Sequence, residues 1–563
     1  MMCAGDSLPD GGVLEVEVAV VGTGPVGLAV AIRLAGRVGR IALIEAGDTR
    51  FKPAHSRDFF KAEQINDPRH LPTELNRRRM LGGTSSVWGG RCIPLDPEDF
   101  APVSGRLGWP IPFAEMNEHI PGALEFLDAG RPDFCAASAL RTSPVSSGAS
   151  SGDLLIDRIE RYSKPTNVWR KWGPRLARSR DVTVIYGATC TNVVTNADGT
   201  RAVALELRTA SNRPYKVRAP TIVLACGGLE TPRLLLASRG RRSCGLGNEH
   251  DLVGRFYMTH LVSDARNVGA LRFAAVETAR AFDYCTTSDG VYGRRMILLS
   301  PAARQRDGVG NIVFRPTRPP IDDPSHRDPV LSAMFLARSL IIPPEYARSL
   351  EAGISRSRMW RDHAINAAAG FPRLCAFSID WLKRRVLATR KLPSVFLHRE
   401  DGTYPLEFNA EHMPNPDSRV SLGDAVDPFG VPRLVLQWQM RDSELAWICR
   451  AYRALEAAIA KSGLGVLHFD ADLSDTVQHA LVSQGGHHIG TVRMGDDPRT
   501  GVVDKNGEVW STHGLFVAGA AIFPTSGFAN PTLTAVALAF RLADHLIGRQ
   551  TAANAPGRLG AGV

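Results

Sequence analysis

Residues 16–47, VEVAVVGTGPVGLAVAIRLAGRVGRIALIEAG, decide the fold. Val16 to Val21 reads as a buried strand, Gly22-Thr-Gly24-Pro25-Val26-Gly27 as a tight turn, Leu28 to Arg37 as a helix, and Ile41 to Glu45 as a second apolar strand. That succession is a βαβ unit with parallel strands. Gly22 permits the turn, Gly24 lets backbone approach a pyrophosphate, and Gly27 allows helix and strand to pack closely. The helix N-terminus supplies unpaired N–H groups and partial positive charge. Glu45, followed by Ala46, closes the second strand, where a carboxylate can accept both hydrogens of a ribose diol. Glycines in such a turn can serve packing alone. Here strand, helix and terminal acid stand in register and predict a bound dinucleotide, without deciding between FAD and NAD.

Composition sets the bounds around that unit. A chain of 563 residues makes several structural units, and 44% hydrophobic with 22% charged residues is ordinary for a globular protein. The net charge of +10 is mostly arginine, with no basic tail carrying interleaved aromatics, so a solvated basic surface is expected and no nucleic-acid partner. Nine cysteines without a CxxC pair point away from a zinc site or a disulfide framework and toward a reducing compartment. The opening MMCAGDSLPDGG has no basic start leading into an apolar run, and no stretch approaches the ~18 apolar residues of a membrane span, so a cytoplasmic enzyme is expected.

Downstream, Met80 to Gly90 forms a second glycine cluster containing Gly82, Gly83, Thr84, Ser85, Val87, Trp88 and Gly89. Such a loop can set N–H groups against a flat ring system, or can be a plain apolar turn. Val182 to Tyr186, Thr191 to Thr195 and, after the turn Asn196–Gly199, Ala202 to Thr209 read as strands, a succession that suits a small antiparallel meander. The strand Thr221 to Ala225, the turn Cys226-Gly227-Gly228 and the helix Leu229 to Ser238 continue a dinucleotide domain after an insertion. From Val262 to Ser474, alternating segments such as Arg419 to Leu422 and Leu434 to Met440 suggest an antiparallel substrate domain. The expected fold is thus α/β: a discontinuous Rossmann-like domain (13–105, 175–261 and 475–550), a substrate-binding and covering part (106–174 and 262–474), and a flexible tail (551–563). Within the substrate part, 356–392 is basic and carries Trp360, Phe371, Phe377 and Trp381; a solvated helix pair is the preferred reading over a lid docking on an anionic membrane or partner.

The C-terminal part reads QGGHHIGTVRMG over 484–495 and GLFVAGAAIFPTSGFANPTL over 514–533. Pro531 to Leu546 has a helical pattern with proline in its first turn, which makes Asn530 a helix cap or a ligand-facing side chain. His487 and His488 are neighbours on an extended segment and point to opposite sides, so one of them faces a ligand.

Five stretches in this order resemble the glucose-methanol-choline (GMC) oxidoreductases, flavoenzymes that oxidise alcohols: the Gly22–Gly27 turn with Glu45, the Gly82–Trp88 loop, Gly227-Gly228-Leu-Glu-Thr-Pro-Arg-Leu-Leu, His487-x-x-Gly490-Thr491-x-Arg493-Met494-Gly495, and Asn530-Pro531-Thr532-Leu-Thr534. The resemblance covers most of the chain and implies FAD. It makes His487 the active-site base, taking a hydroxyl proton while hydride leaves carbon, and Asn530 the partner that hydrogen-bonds the developing alkoxide. It also implies cofactor contacts from Val193, Cys226, Gly227, Gly519, Ala520, Asn530, Pro531 and Thr532, with the helix after Pro531 aiming its positive end at the flavin. Relatives that link flavin covalently carry a histidine in the loop where this chain has Ser85, Ser86 and Val87, which implies non-covalent FAD. The small-residue segment Val517–Ala521 lacks the acid many relatives have, leaving backbone N–H groups for such contacts. The pattern, including EHMPNPDSRV over 411–420, is most like the bacterial sugar-oxidising branch, akin to pyranose oxidases. A sugar, glycoside or glycosylated natural product is the expected substrate, with oxygen or another electron acceptor and no metal. The alternatives are a non-sugar alcohol such as a polyketide or sterol hydroxyl, and a flavin-binding scaffold without catalysis.

Overall fold

The computed structural model describes residues 1–102, 107–140, 152–164, 167–264, 268–338, 356–469 and 472–554. The opening βαβ unit is present. Val18–Val21 and Ile41–Glu45 pair in parallel from Val18↔Ile41 to Val21↔Ile44, and both strands are buried throughout. The joining helix, Pro25–Leu34, starts three residues before the expected Leu28, because the fixed φ of Pro25 suits a first helical turn and its missing N–H costs nothing there.

Around this unit lies a six-stranded, all-parallel sheet in the order Met2–Ala4, Val182–Tyr186, Ile41–Glu45, Val18–Val21, Thr221–Leu224, Leu515–Val517. The sheet thus draws its strands from three separated stretches of chain, 2–45, 182–224 and 515–517. Its edge strand Met2–Ala4 lies before the expected boundary at 13; it pairs with Val184–Tyr186, and three residues MCA carry no alternation that could have announced it. A parallel sheet must be covered on both faces. Helix Pro25–Leu34 packs against the C-terminal helix Thr532–Asn554, where Arg33 makes a bidentate pair with Asp544 at 2.8 and 2.9 Å. The meander Ala188–Thr195, Ala202–Thr209, Pro214–Arg218, joined in parallel by Val13–Glu15, packs against the strands Ile41–Glu45 and Thr221–Leu224. The C-terminal helix runs to Asn554, past the expected boundary at 550; the rest of the expected tail lies outside the described residues.

The second part is built on an eight-stranded sheet centred on Thr403–Ala410, which pairs with Gly269–Phe273, Ile312–Pro316 and Leu261–Ser263, with helix Asp442–Ser462 packed on it. Arg419–Val426 and Pro432–Gln437 are strands, but they do not join this sheet. They form a separate hairpin with Gln64–Ile65 and pack on helix Gly227–Ala237, and Val420, Leu434 and Leu436 are buried. Leu261–Ser263 also pairs antiparallel with Leu481–Ser483, and Met258 bridges Ile489. That pairing decides the register of the residues described next. Segment 356–392 is a pair of helices, Arg356–Ala369 and Phe371–Trp381, the second prolonged by a π-helical turn at Leu382–Leu387, and both contact helix Pro329–Leu336.

Candidate active site

Two glycine loops make one cradle. Gly22 sits at φ +109°, and a Cβ there would fall 2.4 Å from the Ala225 carbonyl oxygen; one on Gly27 would fall 1.9 Å from the Gly22 oxygen. Gly24 differs, since a Cβ there would meet nothing within 4 Å, so the space over the turn is open. Gly82 takes a left-handed conformation (φ +86°) and a side chain would strike Asn167, while Gly83 approaches the Gly24 backbone. Thr23 ties the loops to the acid: its hydroxyl donates to Glu45 Oε2 at 2.5 Å and accepts from the Gly82 N–H at 3.1 Å. Glu45 also accepts from the Thr23 N–H (3.2 Å) and the Gly47 N–H (2.8 Å). Burial raises its pKa and these donors oppose the rise.

The cradle opens into a cavity of about 580 Å³. Its wall includes Gly22, Gly24, Pro25, Val26, Glu45 and Ala46 from the first loop; Gly83, Thr84, Ser85, Val87, Trp88 and Gly89 from the second; and Cys226, Gly227, Gly519, Ala520, Pro531 and Thr532. Of the residues singled out in the sequence, Gly27, Gly82 and Val193 are not in that wall. Gly27 and Gly82 shape the turns. Val193 is the correction: its N–H is taken by the Ser238 hydroxyl at 2.9 Å and its side chain is buried in the core. The wall is formed instead by Ala188, Thr189 and Cys190, ahead of a register shift between Cys190 and Asn192.

His487 and Asn530 also line the cavity and meet there, with Asn530 Nδ2 3.1 Å from His487 Nε2. The other ring nitrogen of His487 lies 2.7 Å from His260 Nδ1, and His260 Nε2 lies 3.2 Å from the Ser526 carbonyl oxygen. These contacts fix the protons. A carbonyl only accepts, so His260 Nε2 carries hydrogen; neutral His260 then accepts at Nδ1; His487 therefore donates from Nδ1 and keeps a lone pair on Nε2. Burial, then the neighbouring His260, Arg91 and His488, hold the His487 pKa well below the ordinary imidazole value; burial alone leads in taking His260 down to about 4. Both rings are neutral near pH 7. His260 was not recognisable in the sequence. Its segment reaches the site through the Met258–Ile489 bridge and the bond from the Gln484 N–H to its own carbonyl (2.9 Å).

His488 also lines the cavity, but its Nδ1 is bonded to the Tyr257 hydroxyl at 2.8 Å, and that hydroxyl to His70 Nε2 at 2.8 Å. The two adjacent histidines thus take different partners, as neighbours on an extended segment should. Several buried polar atoms of the cavity residues have no protein partner: His488 Nε2, Asn530 Oδ1 and Arg79 Nε. Together with the open space over Gly24, they fit a large polar ligand. Arg77, Glu230, Arg233 and Asp427 form a buried ion-pair chain along one side, with contacts of 2.8 to 3.0 Å. The wall also includes Arg91, Tyr162, Tyr284, Ser394 and Gln484.

The sequence profiles and relatives that the chain matches make it an oxidoreductase acting on alcohol groups. Sequence profiles described as "GMC oxidoreductase" match residues 166–262 and 414–539. It is 23% identical to 2-methyl-1,2-propanediol dehydrogenase of Mycolicibacterium austroafricanum over 95% of this chain and 96% of that one. A shorter match, 38% identical over 24% of this chain and 25% of the other, is to a C-glycoside 3-oxidase of Microbacterium trichothecenolyticum. The fold is also that of pyridoxine 4-oxidase from Mesorbium loti, with TM-score 0.53, 18% identity, and 94% and 98% of the two chains covered. GMC oxidoreductases are FAD-dependent. Among the described residues no helix is long and apolar enough to cross a membrane.

Proposed function

We propose that the chain binds FAD without a covalent link and oxidises a CH–OH group of a sugar, glycoside or glycosylated natural product. The observation that carries the reading is the directed chain Asn530–His487–His260–Ser526, which leaves the lone pair of His487 Nε2 beside an amide donor inside the glycine-lined cavity. When bound, FAD supplies the hydride acceptor. The cradle would hold its pyrophosphate over Gly24 and the start of helix Pro25–Leu34, with Glu45 at the ribose.

His487 Nε2 takes the hydroxyl proton as the carbinol C–H bond breaks, and Asn530 Nδ2–H moves its hydrogen bond from His487 to the developing alkoxide. His260 holds the opposite ring nitrogen as donor, so that the base presents the correct tautomer. The start of helix Thr532–Asn554 faces the cavity through Pro531 and Thr532, where its positive end favours negative charge. Arg91, Gln484 and Tyr284 line the same cavity as His487, and such polar groups favour a polyol over a wholly apolar alcohol.

The test is an anaerobic absorbance titration against sugars, C-glycosides, aminoglycosides, 2-methyl-1,2-propanediol and a sterol. Bleaching near about 450 nm by a sugar or glycoside is expected. Bleaching by the diol or sterol alone would overturn the substrate class, and absence of any flavin would overturn the cofactor. Admission of air then separates an oxidase, which recovers its colour rapidly, from a dehydrogenase using another acceptor.

A further inference from the structure

Helix Phe371–Trp381 has no buried residue. Phe371, Cys375, Ile379, Leu382 and Val386 recur at three- and four-residue intervals along this helix and the π-helical turn that follows, which places them on one face. Phe371, Ile379, Leu382, Val386 and the adjacent Leu387 are 45 to 72% exposed. An isolated exposed leucine is ordinary, but a continuous apolar stripe on a helix is a surface built to be covered.

What surrounds the stripe identifies the cover. Residues 356–391 hold nine Lys and Arg against two Asp, a net +7 out of the whole chain's +10. Lys383 and Lys391 are exposed, and Arg373 and Arg384 reach past the stripe to Asp328 at 3.0 Å and Asp380 at 3.4 Å. A second copy of this face would set like charge against like charge. An apolar helix face with a basic border suits a surface offering both acyl chains and negative headgroups. We propose that this helix docks on the surface of an anionic lipid bilayer, lying in the interface rather than crossing it.

The docking face is joined to the cavity. Arg390 donates to the Asp128 carbonyl at 2.9 Å and the Tyr162 carbonyl at 3.3 Å, Leu392 is buried, and Pro393 and Ser394 belong to the cavity wall. Docking therefore sets that wall beside the headgroups, where an amphiphilic substrate or electron acceptor concentrates. This inference stands apart from the identity of the alcohol, because it is read by binding alone.

The experiment is cosedimentation of the full-length holoprotein with vesicles of phosphatidylcholine alone and of phosphatidylcholine with about 30% phosphatidylglycerol, at low salt and at about 0.5 M salt. Wild type is expected to bind the anionic vesicles at least about tenfold more tightly than the neutral ones, with salt weakening the binding. The variant Ile379→Asp/Leu382→Asp/Val386→Asp should lose about tenfold or more with flavin content and melting temperature unchanged, since none of the three side chains is buried. Should that variant fail to fold, Lys383→Glu/Lys391→Glu, confined to exposed side chains, should lose the salt-sensitive part of the binding. Equal binding to both vesicle types, or anionic binding that survives both variants, overturns the proposal. So does sedimentation showing that the apolar variant turns a dimer into a monomer, which would make the face an interface between copies.

Discussion

His487 and Asn530 are only as useful as the proton arrangement around them, and that arrangement is set one residue further out. His487→Ala should keep its flavin, because the glycine cradle is untouched, and lose about 10²- to 10⁴-fold in the rate of flavin bleaching by the substrate. Retained bleaching would show that His487 is not the base. The pH dependence follows from sign. As the proposed base, His487 reacts as the neutral imidazole, and burial with the neighbouring His260 holds its pKa well below 6.5, so bimolecular bleaching should stay level as pH falls through 6.5 and decline only further into acid. A half-maximal point at or above 6.5 would contradict this. His260→Leu removes the acceptor for His487 Nδ1–H and should cost about 10- to 100-fold in bleaching rate and move the acid limb, with flavin retained; an unchanged limb would reduce His260 to packing. His487 and Asn530 stand out in the sequence because each lies in a short contiguous motif. His260 does not, because it stands 227 residues from His487 and meets it only through the register of two antiparallel segments.

At the scale of the element, the Gly22–Gly27 turn separates what the fold needs from what a ligand needs. A side chain at Gly27 has the Gly22 oxygen in its place, whereas one at Gly24 points into open space at φ −63°, a value any residue adopts. Gly24→Val should leave the apoprotein's stability within about 0.5 kcal/mol of wild type and abolish flavin binding. Gly27→Val should lose both, with a destabilisation of about 3 kcal/mol or more from overpacking. Urea melts of the two apoproteins beside their flavin contents make the comparison; equal losses of stability would show that Gly24 serves the fold as Gly27 does. The βαβ unit and the strands at 182–186 and 202–209 could be read because buried parallel strands are short apolar runs and exposed hairpins alternate. Sheet membership was harder. Arg419–Val426 and Pro432–Gln437 alternate like strands of any antiparallel sheet, and only their pairing with each other and with the distant Gln64–Ile65 sets them apart from the large one.

Across the whole molecule, the cavity draws its wall from segments near residues 22–26, 76–91, 188–190, 226–234, 484–488 and 518–535, so no single stretch of chain could hold the ligand alone. The sequence showed these as separate glycine and histidine clusters; it could not show Arg77, Glu230, Arg233 and Asp427 as one ion-pair chain, since each alone reads as a surface charge. A ligand held by so many segments binds the folded state and not the unfolded one, and its affinity must then appear as stability. If FAD is held without a covalent bond, acid precipitation should release all the yellow colour to the supernatant, and deflavinated protein should melt at a temperature that climbs with added FAD. The gain should approach about 4 kcal/mol when free FAD exceeds its dissociation constant by about a thousandfold. Hydrogen exchange should slow on reconstitution in 76–91 and 484–490, loops that no strand pairing holds along their whole length. Colour that stays with the precipitate would establish a covalent link despite the Ser85-Ser86-Val87 loop, and a melting temperature indifferent to added FAD would place the cofactor somewhere other than this cavity.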